Sequence, residues 1–315
     1  MKNPSWVIAL VVYLTTIFFP LSNSTASEQI KSHSQKISVV VSILPLANFV
    51  KNIGRDKVEV SVMIPPGASP HTYEPTPSQL KKISKAQLYI KVGSGIEFER
   101  IWMNKLIAIN PNMVVCDSSA GIPLRKMSCR IHKHIKKANK KETGSKSKQY
   151  SHNKHNDPHI WLSPVNAEIM AQNIKNALIK IDPKNKDFYS KNAQKFISKL
   201  KNLDKQLKQI LSKMKNKSFI VIHPAWGYFA DHYGLKQIPV KIEGKQPSAK
   251  EVINIIQTAK KQKIKAVFAS PQFSPKTAKT IAENIKGKVI IINPLGENYI
   301  DNLYQTANVL ASTEK

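Results

Sequence analysis

Short apolar runs and stretches of helical spacing alternate along most of the chain. Residues 37–43 predict a buried strand, and the apolar positions from Leu46 to Ile53 recur every three or four residues, which predicts a helix after it. Further strands are predicted at 58–64, 88–92, 113–116, 219–222, 238–242, 266–269 and 289–292. Strands that alternate with helices are typical of parallel sheets with both faces covered.

Two segments depart from this alternation. Residues 125–157 consist mostly of Lys, His, Ser and Asn, which predicts a solvated insertion. From Phe188 to about Lys215 the helical spacing continues without Gly or Pro, which predicts a helix roughly 45 Å long at 1.5 Å per residue. N-caps are predicted at Ser163, Asp182 and Ser248, the last forming a capping box with Glu251. We therefore expect an α/β protein of two lobes: an N-terminal lobe at 37–182, a rigid linking helix at 183–215 and a C-terminal lobe at 216–315.

The amino terminus has the pattern of a secretory signal. Lys2 gives a positive start, residues 6–21 are apolar, and small residues stand at 24–26. Sixteen apolar residues are fewer than the ~20 that a membrane-spanning helix needs. We expect cleavage near Ala26 and, because no Cys follows at a position for lipidation, a soluble periplasmic protein.

The chain is strongly basic and has two cysteines, and the expected compartment decides how both features are interpreted. The chain has 49 Lys and Arg against 20 Asp and Glu, and the segment 125–157 alone holds eleven basic and two acidic residues. Such an excess suits nucleic acid or an anionic surface, but export makes us expect no nucleic-acid partner. Cys116 and Cys129 would lie in an oxidising space, where a disulfide and two free thiols both remain open.

Three histidines lie at or near the ends of predicted strands, where open α/β sheets bind ligands. His71 comes after the strand 58–64, His223 directly follows 219–222, and His159 stands between Pro158 and Trp161. Asn293 follows the last predicted strand in the same way. Three neutral imidazoles suit Zn²⁺, with a fourth position for water or another oxygen.

Five motifs, in order, resemble those of the metal-binding solute receptors of ABC transporters, the zinc/manganese (ZnuA/TroA-like) family. They are PHTYEPTP at 70–77, DPHIWLSP at 157–164, HPAWGYF at 223–229, QPSAK at 246–250 and NPLG at 293–296. The resemblance implies a C-clamp of two lobes joined by one long helix, with metal bound in the cleft between them. It implies delivery of the ion to a membrane permease driven by a cytoplasmic ATPase, with no reaction catalysed. His71, His159 and His223 fall on the first three ligand positions. We expect a monomer.

Within this family the third ligand separates the metals. Manganese-type members have a carboxylate there, whereas this chain has His223, which favours zinc. The fourth position usually carries Asp, and Asn293 replaces it here, which leaves the fourth ligand open. Glu74 is predicted to hold the His71 ring. The insertion adds four histidines, which either collect metal loosely or belong to a solvated basic loop: His132, His134, His152 and His155.

Three alternatives remain at this stage. A receptor for manganese or iron would use the same fold. A zinc hydrolase would use the same histidines, with Glu74 as the base. A surface protein that binds anionic polymers would depend on the basic exterior.

Overall fold

Two parallel sheets frame the described part of this computed structural model, residues 36–127, 156–240 and 247–313. The first sheet contains β1 (Ile37–Val41), β2 (Val58–Val62), β3 (Leu88–Lys91) and β4 (Val114–Asp117), in the order β2-β1-β3-β4. The second contains β5 (Ser218–Val221), β6 (Lys236–Pro239), β7 (Ala266–Ala269) and β8 (Lys288–Ile291), in the order β6-β5-β7-β8. Both halves therefore repeat one topology, and the predicted class of two α/β lobes is confirmed.

Helices follow most of the strands. Their bounds are α1 Leu44–Gly54, α2 Pro77–Ile83, α3 Glu97–Ile109, α4 Pro164–Ile181, α5 Lys186–Ser212, α6 Gly227–His232, α7 Ala249–Lys261, α8 Lys276–Asn284 and α9 Tyr299–Ser312. In the part of the chain that the structure describes, none of them is both long and apolar enough to cross a bilayer. Because all strand pairs are parallel, the carboxyl ends of the strands in each sheet meet at one edge.

Alternation along the strands of the second sheet divides its apolar residues between two layers. Phe219 and Val221 join the large core that extends through α5 and α9 into the first lobe. Ile220 and Ile222 point to the opposite face and pack in a second core with residues of α7 and α8. One face of the second sheet thus packs into a core shared by both lobes.

Helix α5 is the long helix that the spacing predicted. Its buried residues recur every three or four positions: Tyr189, Ala193, Phe196, Leu200, Leu203, Leu207 and Leu211. It packs against α1 and α4 of the first half and against α9 at the end of the chain. Its 27 residues correspond to about 40 Å of helix. Within the segment predicted at 183–215, Pro183–Asn185 form a separate 3-10 turn that precedes α5.

Asp204 connects α5 to the second lobe. Its Oδ1 accepts hydrogen bonds from His232 Nε2 (2.7 Å) and Tyr233 Oη (2.9 Å), and its Oδ2 pairs with Lys208 Nζ (2.7 Å). Burial alone would raise the pKa of Asp204, but the bonds from Lys208, His232 and Tyr233 bring it below its ordinary value. Burial raises the pKa of the neighbouring Glu168 on α4, and the Asp204 charge adds to that increase.

The predicted N-caps are only partly correct. Ser248 and Glu251 form the expected capping box at α7. Ser163 occupies the N-cap position of α4, but its side chain makes no capping hydrogen bond. Asp182 makes none either, because its carboxylate accepts bonds from Asn185 Nδ2 (2.6 Å) and Tyr189 Oη (2.7 Å).

Strand β6 begins two residues before the predicted start at 238. Its register is fixed by pairing with β5, in which Lys236 lies opposite Ser218. The apolar residues that suggested 238–242 continue past the strand toward residues 241–246, which lie outside the described chain.

Candidate metal centre

The structure brings the three predicted histidines together at one edge of the two sheets. His71 lies in the loop after β2, His159 immediately before the 3-10 turn Ile160–Leu162, and His223 just after β5. The Nε2 atom of His223 lies 3.4 Å from Nε2 of His71 and 3.1 Å from Nε2 of His159. His159 and His223 are buried, whereas the His71 side chain is partly exposed.

These separations are close to those between two ligands of one ion. Nitrogens bound at about 2.0–2.1 Å to a tetrahedral Zn²⁺ lie about 3.3–3.4 Å apart. Within the described residues, no group of three or more His, Cys, Asp or Glu side chains already has the full geometry of a metal-binding cluster.

Carboxylates hold two of the rings on the side away from this meeting point. His159 Nδ1 donates to Asp157 Oδ1 at 2.8 Å, and His71 Nδ1 donates to Glu97 Oε2 at 3.0 Å. Since an ionised carboxylate only accepts, the proton of each neutral ring stays on Nδ1, and the Nε2 lone pair is available to a metal. The prediction that Glu74 holds His71 is corrected, because Glu74 is exposed and the carboxylate at that ring belongs to Glu97.

Arg125 forms ion pairs with aspartates of both lobes beside the site. Asp157 is fully buried and accepts from Arg125 Nη1 at 3.1 Å, while Arg125 Nε pairs with Asp231 of α6 at 2.7 Å. Burial would lower the pKa of Arg125, but the two aspartates keep it above its ordinary value. Burial would raise the pKa of Glu97, but the hydrogen bond from His71 helps to bring it below its ordinary value. The Glu97 carboxylate therefore stays an ionised acceptor.

The cavity between the histidines is small and mostly apolar. Its lining consists of Pro70, His71, Ile96, Glu97, Pro158, His159, Trp161, His223, Gln272, Phe273, Pro294 and Leu295. The Phe273 ring lies 4.8 Å from the His223 ring and 6.1 Å from the His71 ring, centroid to centroid. The space is large enough for an ion or a water-sized group.

Hydrogen bonds across the cleft fix the segment that carries His159. Trp161 Nε1 donates to the carbonyl of Pro294 at 2.7 Å, and Tyr299 Oη donates to the carbonyl of Trp161 at 2.6 Å. Tyr228 Oη donates to the carbonyl of Asp157 at 3.1 Å. The second lobe thus holds this first-lobe segment at three points.

Asn293, the predicted fourth position, lies next to the site but does not line the cavity among the described residues. Its Oδ1 accepts from the backbone of Leu295 and from Gln272 Nε2, each at 3.0 Å. Gln272 and Phe273 belong to the loop after β7 and were not among the predicted site residues. Their position after a strand at the ligand-binding edge was the signal that could have found them.

The polar insertion is described only at its ends. Lys126 and Asn156 form an antiparallel bridge, and Asp157 N donates to the carbonyl of Arg125 at 2.8 Å. The insertion leaves and returns at one place, two residues before His159. The histidines predicted as loop ligands (His132, His134, His152 and His155) lie outside the described residues, as do Cys129 and the signal segment.

Comparison with known proteins decides the family. The sequence profile of ZnuA, described as zinc-uptake complex component A, periplasmic, matches residues 39–313. The chain belongs to the ZnuA family. It is 32% identical over 303 residues to the high-affinity zinc uptake system protein ZnuA of Bacillus subtilis (strain 168), with 91% of each chain covered.

Solved structures show the same likeness. A crystal structure of ZnuA superposes with a TM-score of 0.78 at 37% identity, covering 89% of this chain and all of that one. The crystal structure of a 138-173 ZnuA deletion mutant plus zinc bound gives a TM-score of 0.78 at 38% identity, covering 89% of this chain and 98% of that one. The family to which this chain belongs is thus one of zinc-uptake receptors.

Proposed function

We propose that this chain captures one Zn²⁺ ion between its lobes and delivers it to the permease of an ABC importer driven by a cytoplasmic ATPase. The observation that carries the proposal is the proximity of three imidazole Nε2 atoms. That of His223 lies 3.1 Å from that of His159 and 3.4 Å from that of His71. His71 and His159 come from the first lobe and His223 from the second, so the bound ion joins the lobes. The chain acts as a receptor and catalyses no reaction.

The donor set supports zinc as the cargo. Imidazole nitrogens suit Zn²⁺, whereas Mn²⁺ favours carboxylate and carbonyl oxygens. The two carboxylates nearest the rings, Asp157 and Glu97, are engaged with Nδ1 atoms rather than presented to the ion. The names of the relatives, a high-affinity zinc uptake protein and a zinc-bound ZnuA variant, agree with this choice.

Competitive titration of the purified protein, with Zn²⁺ and Mn²⁺ offered together, tests the proposal. We expect one tight Zn²⁺ per chain and a loss of at least 100-fold in zinc affinity on replacing His159 or His223 by Ala. His232→Ala is the matched control, because this histidine lies on α6 and bonds to Asp204 instead. Tight zinc binding that survives His159→Ala and His223→Ala together would overturn the assignment, as would a preference for Mn²⁺.

We further propose that the protein is exported to the periplasm, acts as a monomer and binds its cargo without the polar insertion. A protein lacking residues 128–155 should keep its tight Zn²⁺. Sedimentation should give the mass of one chain, and amino-terminal sequencing of the exported protein should begin near Ser27. Zinc that leaves with the insertion would move the metal site to the loop histidines.

A further inference from the structure

The loop after β7 brings an amide side chain to the metal site. Gln272 lines the same small cavity as His71, His159 and His223, and the adjacent Phe273 contacts two of the rings. Gln272 Nε2 donates to Asn293 Oδ1 at 3.0 Å. This hydrogen bond links Gln272 at the cavity to Asn293, the position predicted for the fourth ligand.

A backbone N–H determines which way both amides face. Leu295 N can only donate, and it donates to Asn293 at 3.0 Å, so the atom that accepts is Asn293 Oδ1. That oxygen faces Gln272 in turn, so the group of Gln272 that meets it is Nε2, a donor. The orientation of Gln272 thus follows from the backbone, and its Oε1 is the end that Asn293 does not hold.

The Gln272 oxygen has no partner of its own among the described residues. Oε1 is buried and accepts no hydrogen bond from them. A buried carbonyl oxygen without a donor is costly, and natural proteins rarely keep one without an ion, a water or a ligand to satisfy it. Asn293 Oδ1 already accepts two hydrogen bonds and lies outside the cavity lining. Of the two amides, Gln272 is therefore the one whose oxygen is available to bind an ion.

We propose that Gln272 Oε1 is the oxygen presented to the fourth coordination position of the bound Zn²⁺, and that Asn293 positions Gln272 instead of binding the ion. This inference rests on the proposed function and names a specificity-determining residue for it. A neutral oxygen at this position leaves three imidazoles as the main donors, which disfavours Mn²⁺. A carboxylate there would supply the hard, charged oxygen that Mn²⁺ prefers.

Two charge-adding variants of matched chemistry separate Gln272 from Asn293. Gln272→Glu places a carboxylate where we assign the fourth position, so the ratio of Mn²⁺ to Zn²⁺ affinity should rise by at least 10-fold. Asn293→Asp keeps an acceptor for Leu295 N and Gln272 Nε2, so it should change that ratio less than Gln272→Glu does. A purely structural role would not move the metal preference.

A third variant tests the oxygen itself. Gln272→Met keeps the length of the side chain and removes the oxygen, and we expect zinc affinity to fall by about 10- to 100-fold, as for other groups that support a metal site. Circular dichroism and thermal unfolding verify that each variant folds. Metal preference that changes in Asn293→Asp and not in Gln272→Glu would overturn the inference, as would unchanged zinc affinity in Gln272→Met. The proposed function would still stand if the wild type binds zinc through its histidines, so the two failures are distinguishable.

Discussion

Removing one hydroxyl group, in Tyr299→Phe, tests whether the hydrogen bonds across the cleft hold the lobes together. Tyr299 Oη donates to the carbonyl of Trp161 at 2.6 Å, and both residues are only 1% exposed. Burial raises the pKa of Tyr299, so its hydroxyl remains a neutral donor. Phenylalanine keeps the edge-to-face contact with Phe49, whose ring centroid lies 4.8 Å away. The substitution therefore deletes the donor and leaves the packing in place.

The expected loss of stability comes from the Trp161 carbonyl, which the substitution leaves without its donor. A buried carbonyl that loses its donor costs about 1–3 kcal/mol in the free energy of unfolding. Urea unfolding followed by circular dichroism measures it, and Tyr304→Phe on the same helix is the control because Tyr304 is 38% exposed. We expect the control to stay within about 0.5 kcal/mol of the wild type. A Tyr299→Phe protein as stable as the control would refute the argument.

Three further predictions concern other parts of the molecule. Arg125→Met leaves the buried Asp157 without its cation, so the free energy of unfolding should fall by about 3 kcal/mol in urea titration, and a loss below about 1 kcal/mol would contradict this. The pKa of Asp204 lies below its ordinary value in the folded protein. Asp204 therefore stabilises the fold at pH values above the ordinary carboxyl pKa, and this stabilisation is lost as the pH falls through the folded-state pKa. Wild type should therefore exceed Asp204→Asn in stability at neutral pH, with the difference shrinking below about pH 4, and a constant difference would be evidence against it. Burial, assisted by the Asp117 charge, raises the pKa of the Cys116 thiol to about 12, so iodoacetamide should modify it in unfolded but not in native protein, as read by peptide mass spectrometry.

The frame of the fold could be predicted from the sequence because its signals are local. Short apolar runs such as 37–43 and 266–269 favour a buried strand. Apolar residues recur every three or four positions along α5, a spacing that places them on one face of an α-helix, and the structure has this helix. Side-chain capping was harder to predict, because Ser163 and Asp182 have suitable side chains but make other contacts or none at the helix start.

The candidate site was predictable only in part, for a related reason. His71 and His223 come after predicted strands, at the edge where parallel sheets bind ligands. The motifs around all three histidines, His159 included, resemble those of the family, and this resemblance predicted them as ligands. Their partners depend on pairings between distant segments, which no local pattern carries. Arg125 meets an aspartate 106 positions away, and Glu97, rather than the nearby Glu74, reaches His71. The sequence could name the residue types but not which carboxylate would fold against which ring.

In the proposed function, both lobes bind the same zinc ion through three imidazoles. Crystals of the full exported chain grown with Zn²⁺, with diffraction recorded on both sides of the zinc absorption edge, locate the ion directly. We predict one strong anomalous peak in the cleft, about 2.0–2.1 Å from the Nε2 atoms of His71, His159 and His223. A peak held by other residues, or a cleft without one in crystals that contain zinc elsewhere, would contradict binding of zinc by these three histidines.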